Sequence, residues 1–280
     1  MQGQRVSDKN PLTLACLGWL ELKEVALSGR DLDGASLDGA SLNGASLDEA
    51  SLDEVSLNRA SLNGTSLNRV NLDGASLTGA SLTGASLNEA SLNEANLSGA
   101  NLSGASLYRA NLTGANLNRT NLNEANLTRV NLTGANLTGA NLNEANLNRT
   151  NLNEANLNEA NLNRANLNRA NLHWANLNEA ILDEASLNGA SLNGVSLNGA
   201  SLWNISCDQQ TEWGNSLNGA SLNGVSLNGA SLWNISWDQQ TEWGNTQCLD
   251  TAFDVPEEWL AAYQKNSTQD SGDKNGPTDI

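Results

Sequence analysis

The chain has one Phe, one Met, one His and three Pro in 280 residues, and aromatics make up only 4% of it. The large side chains that fill most domain cores are scarce, so a single ordinary core is not on offer. The lone histidine, His173, has no cysteine or carboxylate at ligand spacing and so carries no metal motif. The three cysteines, Cys16, Cys207 and Cys248, are odd in number and far apart. That argues against a disulfide framework and a CxxC-type metal site, and it fits a reducing, cytoplasmic setting. No apolar run is long enough to span a bilayer. The short patch in PLTLACLGWLELKE, Pro11 to Glu24, runs straight into Glu21, Lys23 and Glu24 with no small-residue cleavage site. It reads as a cover for the fold behind it and not as a targeting signal.

Positive charge is also scarce: 14 Lys and Arg stand against 31 Asp and Glu, a net charge of −17. Direct nucleic-acid binding needs a dense basic surface, and anionic membranes repel an acidic one. Solubility or a basic partner suits this balance better.

What the chain does contain is a period. Counted in quintets from Pro11 to Asn245, Leu holds the second place in 43 of 47, the exceptions being Cys207, Glu212, Trp237 and Glu242. The fifth place is nearly always Ala, with Val at Val55, Val70, Val130, Val195 and Val225 and Thr at Thr65, Thr120 and Thr150. The first place is Ser, Asn or occasionally Asp, and the third and fourth are polar or Gly. Strict repetition lets a biased composition bury a core that no single copy could bury.

A helix does not use this period, because leucines five apart are turned by about 140° and make no stripe. A long flat strand fails too, since an odd period sends successive leucines to opposite faces. A short extended segment succeeds. Ala35 and Leu37 point to one side, Ser36 points out, and Asp38 and Gly39 turn the corner. Each quintet is then one side of a coil, and stacked coils pair their backbones about 4.8 Å apart.

These residues resemble the pentapeptide-repeat family, whose pattern is A-[N/D]-L-x-x. ANLTGANLNRTNLNEANL, Ala110 to Leu127, matches it quintet after quintet. The resemblance implies an all-β fold, a right-handed quadrilateral β-helix with four quintets per coil, closed by a short C-terminal capping helix. Residues twenty apart then lie above one another. Asn111, Asn131, Asn151 and Asn171 should form an amide ladder. Turns with Gly at their third residue, as in Leu42 to Ala45, should be type II. Turns with Glu or Arg there should be type I-like.

The expected organisation is an N-terminal cap or degenerate quintets over 1–25, a solenoid over 26–245, a C-terminal cap with a helix over 246–265, and a disordered tail over 266–280. Pro256, Glu257 and Glu258 suit a helix start, and Trp259, Leu260 and Tyr263 could cover the last coil. Open ends also allow two copies to pair end to end. Residues 186–215 and 216–245 are a tandem duplication that differs only at Cys207 versus Trp237. Each copy ends in a SLWNIS-x-DQQTEWGN segment similar to the family's closing segment, so the first looks like a cap stranded inside the array. With the phase of five kept, Cys207, Gln210, Glu212 and Asn215 would face inward, Trp203 and Trp213 would pack over the wall, and 203–215 would be irregular.

No catalytic constellation stands out, and a convex wall holds no groups in a concave site. No enzyme activity, cofactor or metal is expected. The fourth places, sorted by twenty, are more informative. One line reads Glu49, Arg69, Glu89, Arg109, Arg129, Arg149, Arg169. Its four stacked arginines either splay into solvent or reach carboxylates such as Glu124 and Glu144, or they form a docking stripe with His173 and Trp174 at its end. The chain therefore reads as a structural or interaction scaffold, a rod presenting its walls to a protein partner. The resemblance supplies an alternative, an acidic DNA mimic that binds a type II topoisomerase such as gyrase. Against it, residues 31–202 carry 17 acidic and 8 basic residues, a net of −9, whereas duplex phosphates fall every ~1.7 Å.

Overall fold

The computed structural model describes residues 19–208, 210–222, 240 and 241. Parallel bridges join residues twenty apart in an unbroken series, from Glu21↔Ser41 and Ala26↔Ser46 to Ile181↔Ser201 and Ser186↔Ser206. One coil is therefore twenty residues with a bend in every quintet. Residues 21–25 already belong to the stack, for Leu22 N–H donates to the Ser41 carbonyl and Val25 packs against the core.

The interior follows from alternation. Leu32, Ala35 and Leu37 are 0% exposed, and the same two places stay buried as far as Leu202. Leucine from one place and alanine from the other fill the core. Val55, Val70, Val130 and Val195 fit at the alanine place. So do Thr65, Thr120 and Thr150, because each hydroxyl donates to a leucine carbonyl within the wall: Thr65 to Leu42, Thr120 to Leu97 and Thr150 to Leu127. A buried hydroxyl without such a bond would cost about 1–3 kcal/mol.

All four bends share one turn, which corrects the expectation of two types. The fourth-place residue has positive φ whether it is Gly, as at Gly134 (64°), or not, as at Glu49 (60°), Arg129 (61°) and Glu154 (58°). The reason lies between coils. The Glu49 N–H donates to the Asn68 carbonyl and the Arg129 N–H to the Asn148 carbonyl, each one coil on. Turning the bend into type I would flip that peptide and break the bonds it makes with the coils above and below. The ladder outweighs the left-handed strain, about 1–2 kcal/mol for a non-glycine residue.

The third-place N–H is satisfied in two ways, and the first-place residue decides which. Where the first place is Ser, an Asp or Asn of the previous coil serves both groups: Asp38 Oδ1 accepts from Ser56 Oγ (2.6 Å) and from Asn58 N (2.8 Å). Where it is Asn, that side chain does the work itself, as Asn131 Oδ1 accepts from Thr133 N. The expected amide ladder is present: Asn131 donates to Asn111 at 3.3 Å, Asn151 to Asn131 at 3.3 Å and Asn171 to Asn151 at 3.2 Å.

Among the described residues the regular stack breaks once. Strand β1, Ser191–Ser196, pairs in parallel with β2, Glu212–Ser216. Ser191 pairs with Glu212 and Leu192 with Trp213, one residue out of phase, and the register returns at Ser196↔Ser216. The cause is a wider corner at Asp208. Its Oδ1 accepts from Gln210 N and Gly189 N, and its carbonyl accepts from Thr211 N. Thr211 then takes the inward alanine place, 2% exposed, and donates to the Leu187 carbonyl. Trp213, 4% exposed, takes the leucine place. So Gln210 and Glu212, expected inside, are exposed, and Trp203, expected against the wall, is 46% exposed. Cys207 is partly buried, and burial, with the Asp208 charge beside it, pushes its thiol up to about 12. Thr241 of the second copy donates to Leu217 just as Thr211 does to Leu187. The side chain of Asn215, residues 1–18, the capping helix expected over 246–265 and the tail over 266–280 lie outside the described residues.

Candidate functional site

With the interior filled almost entirely by leucine and alanine, variation is left mainly to the bends. Fourth-place side chains leave the wall at each corner, and residues twenty apart follow one another up an edge. On the edge that begins at Glu49, the lower half neutralises itself. Arg69 stands between Glu49 (3.3 Å) and Glu89 (3.2 Å), and Arg109 lies 3.8 Å from Glu89 and 5.1 Å over the Tyr108 ring. Hydrogen bonds that Arg69 donates to Glu89 and then to Glu49 raise its guanidinium above its ordinary value. The shallow concavity lined by Asp48, Glu49, Asn68, Arg69, Asn88 and Glu89 is the space around these pairs.

The upper half is different. Arg129, Arg149 and Arg169 are exposed, and among the described residues no carboxylate comes within 4.0 Å of any of them. They do not reach Glu124 or Glu144. Glu144 and Glu184 instead hold Arg164 on their own edge, at 3.7 and 2.8 Å. The side of the coil next to this edge shows a second difference. The first-place amides of Asn126, Asn146 and Asn166 accept the third-place N–H through Oδ1. Yet among the described residues their Nδ2 groups make none of the amide–amide bonds that zip Asn111 to Asn171. Three guanidinium groups and three amide donors therefore rise in register over successive coils with no acceptor of their own among the described residues.

His173 and Trp174 stand on the next corner along. Their rings meet edge to face at 5.4 Å, and Trp174 is 64% exposed. Trp174 is also seated, since a Cβ on Gly194, one coil on, would lie 2.4 Å from its Cε3. Trp19 covers Gly39 in the same way at 2.7 Å. Sequence reasoning missed both pairs, although a Trp twenty residues before a Gly is a readable signal. Among the described residues no three of His, Cys, Asp and Glu come together as metal ligands, and no helix is long and apolar enough to cross a membrane.

A wall of parallel bridges at a spacing of twenty, around a buried core mainly of leucine and alanine, defines a parallel β-solenoid. The sequence pattern of pentapeptide repeats matches in 8 copies over residues 21–59, 56–94, 90–129, 105–143, 131–169 and 165–204. The chain belongs to the pentapeptide-repeat family, whose members fold as right-handed β-helices. Among solved structures it is similar to HetL, a pentapeptide repeat protein involved in heterocyst differentiation regulation from the cyanobacterium Nostoc sp. The identity is 30% over 83% of this chain and 88% of that one, with a TM-score of 0.46. A pentapeptide repeat protein of the Arabidopsis thaliana thylakoid lumen is 30% identical over 34% of this chain and 63% of that one, with a TM-score of 0.28. QnrB1, a plasmid-mediated fluoroquinolone resistance protein, is 15% identical over 79% of this chain and 92% of that one, with a TM-score of 0.26. No curated protein matches the sequence.

Proposed function

We propose that the chain is a non-enzymatic scaffold, a rigid rod of four-sided cross-section in the cytoplasm that presents its walls to a protein partner. Its docking edge is Arg109, Arg129, Arg149 and Arg169, with His173 and Trp174 at the upper end. A short helix over 246–265 closes the far end. One observation carries the reading: three exposed arginines follow one another up an edge with no carboxylate within 4.0 Å among the described residues. In a chain with 31 acidic residues, local neutralisation was available and is used at Arg69 and Arg164. Like charges stacked one coil apart disfavour the fold, and a complementary surface on a partner removes that cost.

The DNA-mimic reading is weaker. An imitation of duplex phosphates needs an unbroken acidic line, and Arg69, Arg164 and the arginine row interrupt it. Replacing Arg129, Arg149 and Arg169 with Ser should leave the melting transition in place and remove the captured partner. Equal capture by the variant would remove the edge from the account.

A further inference from the structure

The arginine edge borders one particular side of the coil, and that side has two unlike edges. Around Asn126 the bends fall at 123–124 and 128–129, so Glu124 flanks the side on one edge and Arg129 on the other. Around Asn146 the flanking residues are Glu144 and Arg149. Lower on the same side the pairs become Gly104 with Arg109, Gly84 with Glu89 and Gly64 with Arg69. A Cβ on Gly64, Gly84 or Gly104 would meet nothing within 4 Å, so these corners are open. Between the edges lie small polar side chains, Ser86, Ser106, Asn126, Asn146 and Asn166.

We propose that the partner of this side is a second copy of the chain, packed face to face, parallel, with a two-fold axis running along the rods. The inference rests on the reading of the arginine row as an interaction edge and names what occupies it. Such an axis carries each edge of one copy onto the opposite edge of the other at the same height. Arg129 then meets Glu124 of the second copy and Arg149 meets its Glu144, while Arg109, Glu89 and Arg69 lie over open glycines. Asn126, Asn146 and Asn166 come near the axis and meet their own counterparts, where the unused Nδ2 groups find Oδ1 acceptors. The antiparallel alternative puts arginine against arginine.

Pitch supports a second copy over other acidic partners. The arginines repeat once per coil, about 4.8 Å. An extended peptide with carboxylates on one face repeats them about every 6.6–6.8 Å and drifts out of step. The same solenoid repeats its carboxylates at the same interval by construction. One unfavourable meeting remains, Arg164 with Arg169, and Glu144 and Glu184 already neutralise Arg164. The net charge of −17 on each copy opposes association, but beyond about 8 Å it is screened at physiological salt, while contact pairs are screened less.

The test is sedimentation equilibrium of the full chain at about 0.15 M salt, up to about 100 µM protein, with thermal melts to confirm folding. The wild type should reach twice the monomer mass. The double variant Arg129→Glu, Arg149→Glu should associate about tenfold or more weakly, and so should Glu124→Arg, Glu144→Arg. Because an isologous contact is self-complementary, all four changes in one chain should restore the dimer, and mixing the two double variants should do the same. A wild type that stays monomeric, or reversals that leave the mass unchanged, would overturn the second-copy inference. A monomer that still loses a captured partner when Arg129, Arg149 and Arg169 become Ser would leave the interaction edge standing. A monomer with no such dependence would remove both.

Discussion

Trp174 rests on Gly194, one coil further on, so closely that a Cβ at Gly194 would stand 2.4 Å from the indole. Two costs are superposed at that glycine, the indole contact and a φ of +70°. Gly134 separates them, for it has φ +64° and nothing within 4 Å. Gly134→Ala should cost about 0.5 kcal/mol net, the left-handed strain of about 1–2 kcal/mol offset by about 0.5–1 kcal/mol of unfolded-state entropy that the alanine removes. Gly194→Ala should cost more, and in a Trp174→Ala background its cost should fall to that of Gly134→Ala. A double-mutant cycle by urea unfolding reads the difference.

The shared turn predicts a gain where non-glycine residues occupy the fourth place. Glu154 has φ 58°. Glu154→Gly relieves about 1–2 kcal/mol of strain and adds about 0.5–1 kcal/mol of unfolded-state entropy. A net stabilisation of about 0.5 kcal/mol is expected in the denaturation midpoint. A loss would mean that the bend in solution is not the left-handed one.

Within the irregular coil the two tryptophans should behave oppositely. Trp213, 4% exposed, fills a leucine place and its Nε1 has no hydrogen-bond partner among the described residues. Trp213→Ala should cost about 3–5 kcal/mol, while Trp213→Phe, which removes the unpaired donor, should cost far less. Trp203→Ala, at a site 46% exposed, should stay within about 0.5 kcal/mol. Equal losses at the two sites would argue for the unshifted register.

Asp73 gives the pH dependence. Burial alone would raise its carboxyl, but hydrogen bonds from Ser91, the Asn93 side chain and the Asn93 N–H outweigh it and hold it below its ordinary 3.8. A group depressed in the folded state contributes stability that is fully present above its unfolded value and lost as pH falls through the folded one. That contribution should therefore fade below about pH 4. Asp73→Asn keeps the acceptor, as Asn58 shows by accepting from Ser76 and Thr78. It should leave stability near pH 7 almost unchanged and flatten the acid limb of the curve. An acid limb identical to wild type would show that Asp73 does not contribute to it.

The sequence made the wall legible because alternation alone decides which side Leu37 and Ala35 face. Twenty residues per coil then put Asn131 above Asn111. The turn type was not legible, because local preference at Glu49 points one way and a hydrogen bond to Asn68, nineteen residues off, points the other. Likewise a count of five places Glu212 inside, and only the extra residue that Asp208 draws into its corner moves Trp213 there instead. The arginine row was visible as spacing. Its isolation from Glu124 and Glu144 needed the geometry of Arg164, which takes Glu144 for its own edge.

The claim that the arginine row is a docking edge is tested most directly by capture with two triple variants of equal charge change. One replaces Arg129, Arg149 and Arg169 with Ser, and the other replaces Lys23, Arg59 and Arg119, which lie off that edge. Both should melt close to wild type. The account predicts that the first loses the bound partner, a second copy included, and the second keeps it. Retention by the first, or equal loss by both, would contradict it.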